Sequence, residues 1–432
     1  MTILVLGATG FIGQEVVLSL QAAGHQTIGL GRDIRQVKAR FPQAAFPRAD
    51  WQARDLKSLR DAASWLPLLK SVTAVINCAG ALQDGLRDDL KAVQTEAMLA
   101  LQAAANTLPI KPLIVQISAP ANLAPAGTRF METKLEADRA LKASGLPHVI
   151  LRPTVVVGRN AYGGTALLRA IASCPGILPL VDGETSLNAV HVTDVAKAVV
   201  DAVEGRLDDG SDLVVAGQPT RTLKEMARFY RGWLGLPEAP VVNIPTRLTR
   251  PLSWLADMAG RLGWRSPLRS TATRISGIGV APAPDVPTRW APDPIVRLSS
   301  EPAAVQDLWF ARLYLLKPLM ILTLSLFWIT SGVVPLFDPV QTSLRFGSNL
   351  PQTPALAVTI LTSLLDIALG LAILVHPWAK RALQGMILVS LSYLLGGTLI
   401  EPALWLDPLG PLVKVFPSIL LAMATLAVLE ER

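Results

Sequence analysis

Charge is scarce in this sequence: 17% of its 432 residues are Asp, Glu, Lys or Arg, against about a quarter in a soluble domain. With 51% hydrophobic residues and a mean hydropathy of +0.40, a substantial part of the chain avoids water. Cysteine is almost missing. Cys78 and Cys174 are too few for a disulfide framework and lack metal-ligand spacing, so neither a disulfide scaffold nor a metal site is expected. Both read as buried thiols in a reducing compartment. The first residues lack the basic region of a secretory signal peptide, and their apolar run stops at Gly7.

The net charge of +7 and pI near 9.6 come without any aromatic-interleaved basic motif, so no nucleic-acid partner is expected. The basic residues crowd into 247–274, where Arg247, Arg250, Arg261, Arg265, Arg269 and Arg274 oppose Asp257 alone. That balance suits membrane lipid with anionic headgroups. The length predicts two or three domains. The apolar excess is confined to the part after Leu313, and residues 1–300 read as a soluble protein.

Residues 3–6 are a short continuous apolar run, as in a strand buried on both faces of a parallel sheet. Gly7-Ala8-Thr9-Gly10-Phe11-Ile12-Gly13 follows, and then Ile12, Val16, Val17 and Leu20 recur at helical spacing until Gly24. Glycines at 7, 10 and 13 permit a tight turn and let backbone N–H groups approach a diphosphate at a helix N-terminus. A second strand at 27–30 ends at Gly31-Arg32-Asp33. An acidic residue there would hold the ribose hydroxyls of NAD, and an arginine the 2′-phosphate of NADP. Arg32 comes first, which favours NADP and leaves NAD as the alternative. Asp50 closes a third extended stretch. Residues 75–82 form a fourth strand, with Cys78, Ala79 and Gly80 small enough for a cofactor to approach, and 113–117 leads to Ser118.

The glycine turn, Asn77-Cys78-Ala79-Gly80, Ser118 and Leu151-Arg152-Pro153 together resemble the extended or atypical short-chain dehydrogenase/reductase family over residues 1–240. Residues 190–196 look like that family's entry into a late helix. The nucleotide half is also similar to the nucleotide-binding accessory subunit of respiratory complex I. The resemblance implies an α/β Rossmann fold, a doubly wound parallel sheet, over 1–245, with a small substrate lobe built from 155–190 and 215–300. It implies cofactor contacts at Gly7, Thr9, Gly10, Phe11, Ile12, Gly13, Arg32, Asp50, Cys78, Ala79, Gly80, Ser118, Lys134 and Pro153.

Catalysis in that family uses Ser, Tyr and Lys, the last two spaced Y-x-x-x-K so that both lie on one helix face. The matching stretch here is Phe130-Met131-Glu132-Thr133-Lys134. Ser118 and Lys134 are retained as catalytic candidates, but Phe130 has no proton to give. Three readings follow: a nucleotide-binding domain without dehydrogenase activity, a reductase using another donor such as Tyr162, or hydride transfer to an acceptor needing no side-chain acid, such as a quinone or flavin. His191 reads as a strand-end histidine hydrogen-bonded to backbone, and Gly163-Gly164 as a flexible loop or an ordinary turn.

Residues 246–305 read as a basic amphipathic segment and a proline-rich linker, the segment either lying in a membrane interface or packing on the sheet. Four apolar stretches follow at about 314–336, 355–375, 382–400 and 409–429. Each has the roughly 20 residues needed to cross hydrocarbon, predicting a C-terminal four-helix transmembrane bundle. Arg312, Lys317, Lys380 and Arg381 place the N-terminal domain and the C-terminus on the cytoplasmic side of an inner membrane. Asp366 lies within the second stretch, as a neutral hydrogen-bonded acid or as a proton or quinone-site group, and Lys414 about a turn and a half into the fourth. Residues 305–432, through Trp328-Ile329-Thr330-Ser331-Gly332 and Asp407-Pro408, resemble the DoxX-like membrane family. The two resemblances imply membrane-associated redox work, with a quinone or a membrane redox protein as partner; the sequence leaves the oligomeric state open.

Overall fold

The computed structural model describes residues 1–32, 45–80, 84–85, 89–122, 127–264, 266, 268, 279–346, 351–408 and 410–430. Asp33, Arg265, Arg269 and Arg274, singled out above, lie outside the described residues, as do positions 82 and 409 at the ends of two expected elements. The chain divides into two compact units, Met1–Asp257 with Ser266–Leu308, and Met258–Arg265 with Trp309–Arg432.

The first unit is built on a parallel sheet of eight strands among the described residues: β1 (Thr2–Leu6), β2 (Gln26–Gly31), β3 (Ala49–Ala53), β4 (Ala74–Asn77), β5 (Leu113–Ile117), β6 (His148–Pro153), β7 (Asp212–Gly217) and β8 (Thr288–Ala291). Their spatial order is β8-β7-β6-β5-β4-β1-β2-β3. Chain order therefore reverses between β1 and β4, where an open α/β sheet forms its ligand crevice. Helices cover both faces: α1 (Phe11–Ala22), α2 (Ala62–Leu69), α3 (Ala97–Asn106), α4 (Arg129–Ala143) and α6 (Val192–Val203), with α5 (Gly164–Ala172) and α7 (Leu223–Trp233) in the smaller lobe. The alternation of buried faces shows why both sides need cover. Ile3 and Val5 pack with Val16, Val17 and Val199 on one side, and Leu4 and Leu6 with Trp65, Met98 and Leu101 on the other. Each such side chain contributes roughly 1.5–3 kcal/mol by leaving water.

The smaller lobe has its own core of Val157, Leu168, Leu178, Leu180, Met226 and Tyr230. Short strands tie its segments together, Val155–Val157 with Ala189–His191 and Leu178–Leu180 with Val241–Asn243.

Three sequence expectations need correcting here. The proline-rich stretch is not all linker: β8 pairs with β7 from Val214↔Thr288 to Gly217↔Ala291, and α9 (Pro294–Ser299) buries Leu298 completely. Pro287 and Pro292 flank β8 and Pro294 occupies a first-turn position of α9, positions that an edge strand and a helix start tolerate. Asp50 opens the third strand instead of closing it. It pairs with Ile28, while Ala53 pairs with Gly31. The fourth strand stops at Asn77, because Asn77 turns its side chain onto Ala79 N–H at 3.0 Å.

The second unit contains α10 (Val305–Phe337, from Trp309 onward), α11 (Pro339–Phe346), α12 (Gln352–Ala372), α13 (His376–Ile400) and α14 (Val415–Ala427). It also takes the end of α8 (Thr246–Arg261) and Leu262–Trp264. Among the described residues, α10, α12 and α13 are long and apolar enough to cross a membrane. Leucines such as Leu322, Leu326, Leu361, Leu388 and Leu395 point outward with more than half their surface exposed, as a lipid-facing wall requires. The bundle packs through small residues. A Cβ on Gly332 would stand 2.3 Å from the Ser363 carbonyl oxygen, and one on Gly370 would stand 2.9 Å from Ile329 N. The fourth helix is shorter than expected, with 13 residues spanning about 20 Å at 1.5 Å each. Lys414 stands before its first turn and is not inside it. Asp366 accepts hydrogen bonds from Tyr393 Oη at 2.7 Å and Ser331 Oγ at 3.0 Å, which joins α10, α12 and α13.

Candidate functional site

The carboxyl ends of β1, β2, β4, β5 and β6 bring together Gly7, Arg32, Cys78, Ser118 and Pro153, so residues scattered over 150 positions line one edge of the sheet. After β1 the chain must turn sharply into α1. Gly7 does so with φ +68°, in the left-handed region. A Cβ there would stand 2.8 Å from Ala79 Cα, and one on Gly13 would stand 2.2 Å from the Gly7 carbonyl oxygen. Gly10 caps α1 with no side-chain hydrogen bond to the helix, which leaves the first-turn N–H groups for another acceptor. Thr9 is braced by Gln14, whose amide donates to the Thr9 carbonyl at 2.8 Å. This cradle fits a diphosphate held by backbone and helix N-terminus.

Phe11 lies against the smaller lobe. A Cβ on Gly158 would meet the Phe11 ring at 3.2 Å. The Gly158 loop is held by Arg169, whose guanidinium donates to the Gly158 carbonyl at 2.5 Å and the Arg159 carbonyl at 2.8 Å. Its plane rests 4.6 Å from the Trp233 ring centroid and 5.2 Å from that of Tyr230. Ile12 packs into the core beneath the turn. Arg32 is exposed at the carboxyl end of β2. Asp50, three residues down its strand from the end that pairs with Gly31, is about 10 Å from the crevice edge at 3.3 Å per residue.

Ser118 and Lys134 lie side by side but do different things. Lys134 is buried and donates from Nζ to the Ile117 carbonyl at 2.9 Å. Its Nζ is 5.9 Å from the Phe130 ring centroid and would be 3.5 Å from a Cβ on Gly80. Burial pulls the lysine below its ordinary range, with Asp138 and Cys78 acting against that pull. Burial pushes the Cys78 thiol up to about 12, which keeps it protonated and unreactive. Ser118 gives its hydrogen to Asp138 Oδ2 at 2.5 Å. Arg152 reaches the same carboxylate oxygen at 2.8 Å and the Ala119 carbonyl at 2.9 Å, and pairs with Asp212 at 2.6 Å. Burial alone would raise the Asp212 carboxyl, but hydrogen bonds from Arg152 and Lys142 hold it below the usual range. Ser118 thus belongs to a buried charge network.

Tyr162 is half exposed in the loop before α5, its backbone tied to Thr165. Among the described residues, no hydrogen bond joins its phenol to Lys134 or Ser118. His191 caps α6, accepting from Thr193 N–H at 3.4 Å, a structural role.

Two participants escaped the sequence reading. Gln94 sits in a π-helical turn, Lys91–Glu96. Its amide would be 3.4 Å from a Cβ on Gly80, and its carbonyl accepts from Thr133 at 2.8 Å. A π-turn leaves little trace in composition. Asp138 could have been found, because it follows Lys134 by four residues and shares its helix face.

Residues 3–216 match the NAD dependent epimerase/dehydratase family, and residues 325–423 match the DoxX-like family. Among curated proteins, the chain is 27% identical over 277 residues to the 3-diazoavenalumate denitrifying reductase of a Streptomyces species, covering 59% of this chain and 88% of that protein. It is 26% identical over 273 residues to the photosystem II assembly factor Ycf39 of Trieres chinensis, covering 61% and 81%. Among solved structures, it is similar to UDP-glucuronic acid 4-epimerase from Bacillus cereus, in complex with UDP-glucuronic acid and NAD. That likeness has a TM-score of 0.48 and 16% identity, over 73% of this chain and 100% of that one.

Proposed function

We propose, from the premise that this chain joins a short-chain-dehydrogenase-like domain of the NAD dependent epimerase/dehydratase type to a DoxX-like membrane domain, that it is a membrane-anchored redox protein. It binds NADPH and passes reducing equivalents to a membrane acceptor of quinone type. The observation that carries this reading is a complete diphosphate cradle beside Phe130, which has no proton to supply.

When bound, the dinucleotide supplies a hydride. The chain's own residues do the rest. Gly7, Thr9, Gly10, Phe11, Ile12 and Gly13 hold the diphosphate through backbone N–H groups and the α1 terminus. Arg32 pairs with a 2′-phosphate. Lys134 holds the nicotinamide ribose hydroxyls, and Cys78, Ala79, Gly80 and Pro153 let the cofactor approach closely. Reduction of a quinone to a quinol takes one hydride and one further proton. With phenylalanine at position 130 and Ser118 engaged by Asp138, that proton comes from water and not from a side-chain acid. The basic residues Arg312, Lys317, Lys380 and Arg381 support a cytoplasmic side for the N-terminal domain at an inner membrane, by the positive-inside rule.

Detergent-purified protein given NADPH and a short-chain quinone tests this reading. The expected result is NADPH oxidation that is lost in Gly10→Asp and survives Ser118→Ala. Tight NADPH binding without oxidation favours the second reading, a catalytically silent nucleotide-binding scaffold or sensor of a membrane redox complex. The engagement of Ser118 in the charge network supports that alternative.

A further inference from the structure

Helix α8 (Thr246–Arg261) exposes more apolar surface than a helix of a soluble domain would. Leu248 is 64% exposed, Leu252 47%, Trp254 62%, Leu255 53% and Met258 42%. At about 100° per residue, Leu248, Leu252, Leu255, Met258 and Leu262 form one stripe about 120° wide. Along one border of that stripe stand Trp254 and the exposed Arg247, Arg250 and Arg261, with Asp257 as the single acidic residue of the helix. Along the other border Ala256 and Gly260 are buried. The stripe is therefore the outward side of a helix whose opposite flank is already packed.

The chain beyond this helix is pinned to one end of the bundle. Leu262 accepts a hydrogen bond from His376 N–H at 3.0 Å. Trp264 donates from Nε1 to the Leu374 carbonyl at 2.6 Å, and its ring meets His376 edge-on at 4.8 Å. Lys317 Nζ lies 5.7 Å from the Trp264 ring centroid and donates to the Leu429 carbonyl at 2.9 Å. This is the end where α13 begins, with exposed Trp378, Lys380 and Arg381, an aromatic and basic rim suited to a bilayer surface.

We infer that α8 lies in the plane of the membrane interface, its leucine stripe among the acyl chains and Arg247, Arg250 and Arg261 on anionic phospholipid headgroups. Charge complementarity and continuity with the basic rim of the bundle select this occupant over a protein partner.

The test uses the full chain, one copy per nanodisc, in neutral phosphatidylcholine or in phosphatidylcholine with phosphatidylglycerol. A nitroxide is attached at Leu255→Cys in a Cys174→Ser background, and at Arg228→Cys as an exposed control. In anionic discs the label at 255 should collide with oxygen severalfold more, and with a water-soluble nickel complex severalfold less, than the label at 228. Neutralising Arg247, Arg250 and Arg261 to glutamine should shift the 255 label toward water, since each charge at an anionic surface is worth about fivefold. A label at 255 as open to nickel as the control overturns the inference. So does one shielded from both quenchers, which means cover by protein, and so does immersion indifferent to lipid charge.

Discussion

The ammonium of Lys134 lies 5.9 Å from the ring centroid of Phe130, one helical turn away on the same face of α4. A phenol on that ring would stand beside a cation that favours its ionised form. Phe130→Tyr should therefore create slow NADPH-dependent reduction of small ketones that the wild type and Phe130→Leu lack. The gain should be about 10- to 100-fold over background, at or below the lower limit for general acid catalysis, because Ser118 stays bound to Asp138. Dinucleotide affinity should change by less than about twofold, about 0.4 kcal/mol. An assay of NADPH oxidation with a ketone panel decides it, and equal rates in all three proteins would show that no carbonyl reaches this position.

Ser118 is tied into the fold. Its hydroxyl is one of two donors to Asp138 Oδ2, and Asp138 Oδ1 is buried without a partner among the described residues. Removing it in Ser118→Ala should destabilise the first unit by about 1–3 kcal/mol, the cost of a buried polar group losing a partner. Thermal unfolding beside an NADPH-oxidation assay reads stability and turnover together. Unchanged melting with lost turnover would instead put Ser118 at the reacting atoms.

In the proposed reading Arg32 favours NADPH over NADH. Arg32→Glu should weaken NADPH binding by about 10- to 100-fold, the worth of charge-assisted hydrogen bonds to a phosphate, and leave NADH binding equal or tighter, since a carboxylate there accepts from the ribose hydroxyls. Parallel titrations with both nucleotides measure this, and a variant that keeps its preference for NADPH would remove the 2′-phosphate from Arg32.

Acid should loosen the first unit through His191. Burial, opposed by Glu301 and Asp194, holds His191 below its ordinary value near 6.5. The unfolded chain therefore takes up the proton first, and the stability that neutral His191 contributes is present above about pH 6.5 and lost as pH falls through its lower folded value. Melting temperature should fall from pH 7 toward pH 5 in the wild type and fall less steeply in His191→Asn, where asparagine can still cap α6. Parallel curves would assign the acid sensitivity to other groups.

Local chemistry made half of this legible in the sequence. Glycines at 7, 10 and 13 between an apolar run and a helical period leave few alternatives, and the structure uses those at 7 and 13 at contact distances no Cβ allows. Length and hydropathy likewise announced the helices after Leu313, although α14 proved too short to match its neighbours. What stayed hidden depended on distant partners. Prolines at 287, 292 and 294 imitate a linker, and only pairing with β7 reveals the strand between them. Asp50 was misplaced because the end of β3 is defined by its register with β2. Ser118 reads as catalytic in a linear motif, and its bonds to Asp138 and to Arg152, 34 residues on, show only in the folded chain.

Dinucleotide binding by the whole detergent-purified chain tests the account most directly, by calorimetric titration of NADPH into the wild type and Gly10→Asp. A Cβ at position 10 has 3.2 Å to the Gly7 carbonyl oxygen, so the variant can fold with small shifts while its carboxylate repels a diphosphate. Saturable binding to the wild type is expected, and none to a variant of unchanged melting temperature. Equal binding to both, or none to the wild type, would contradict it.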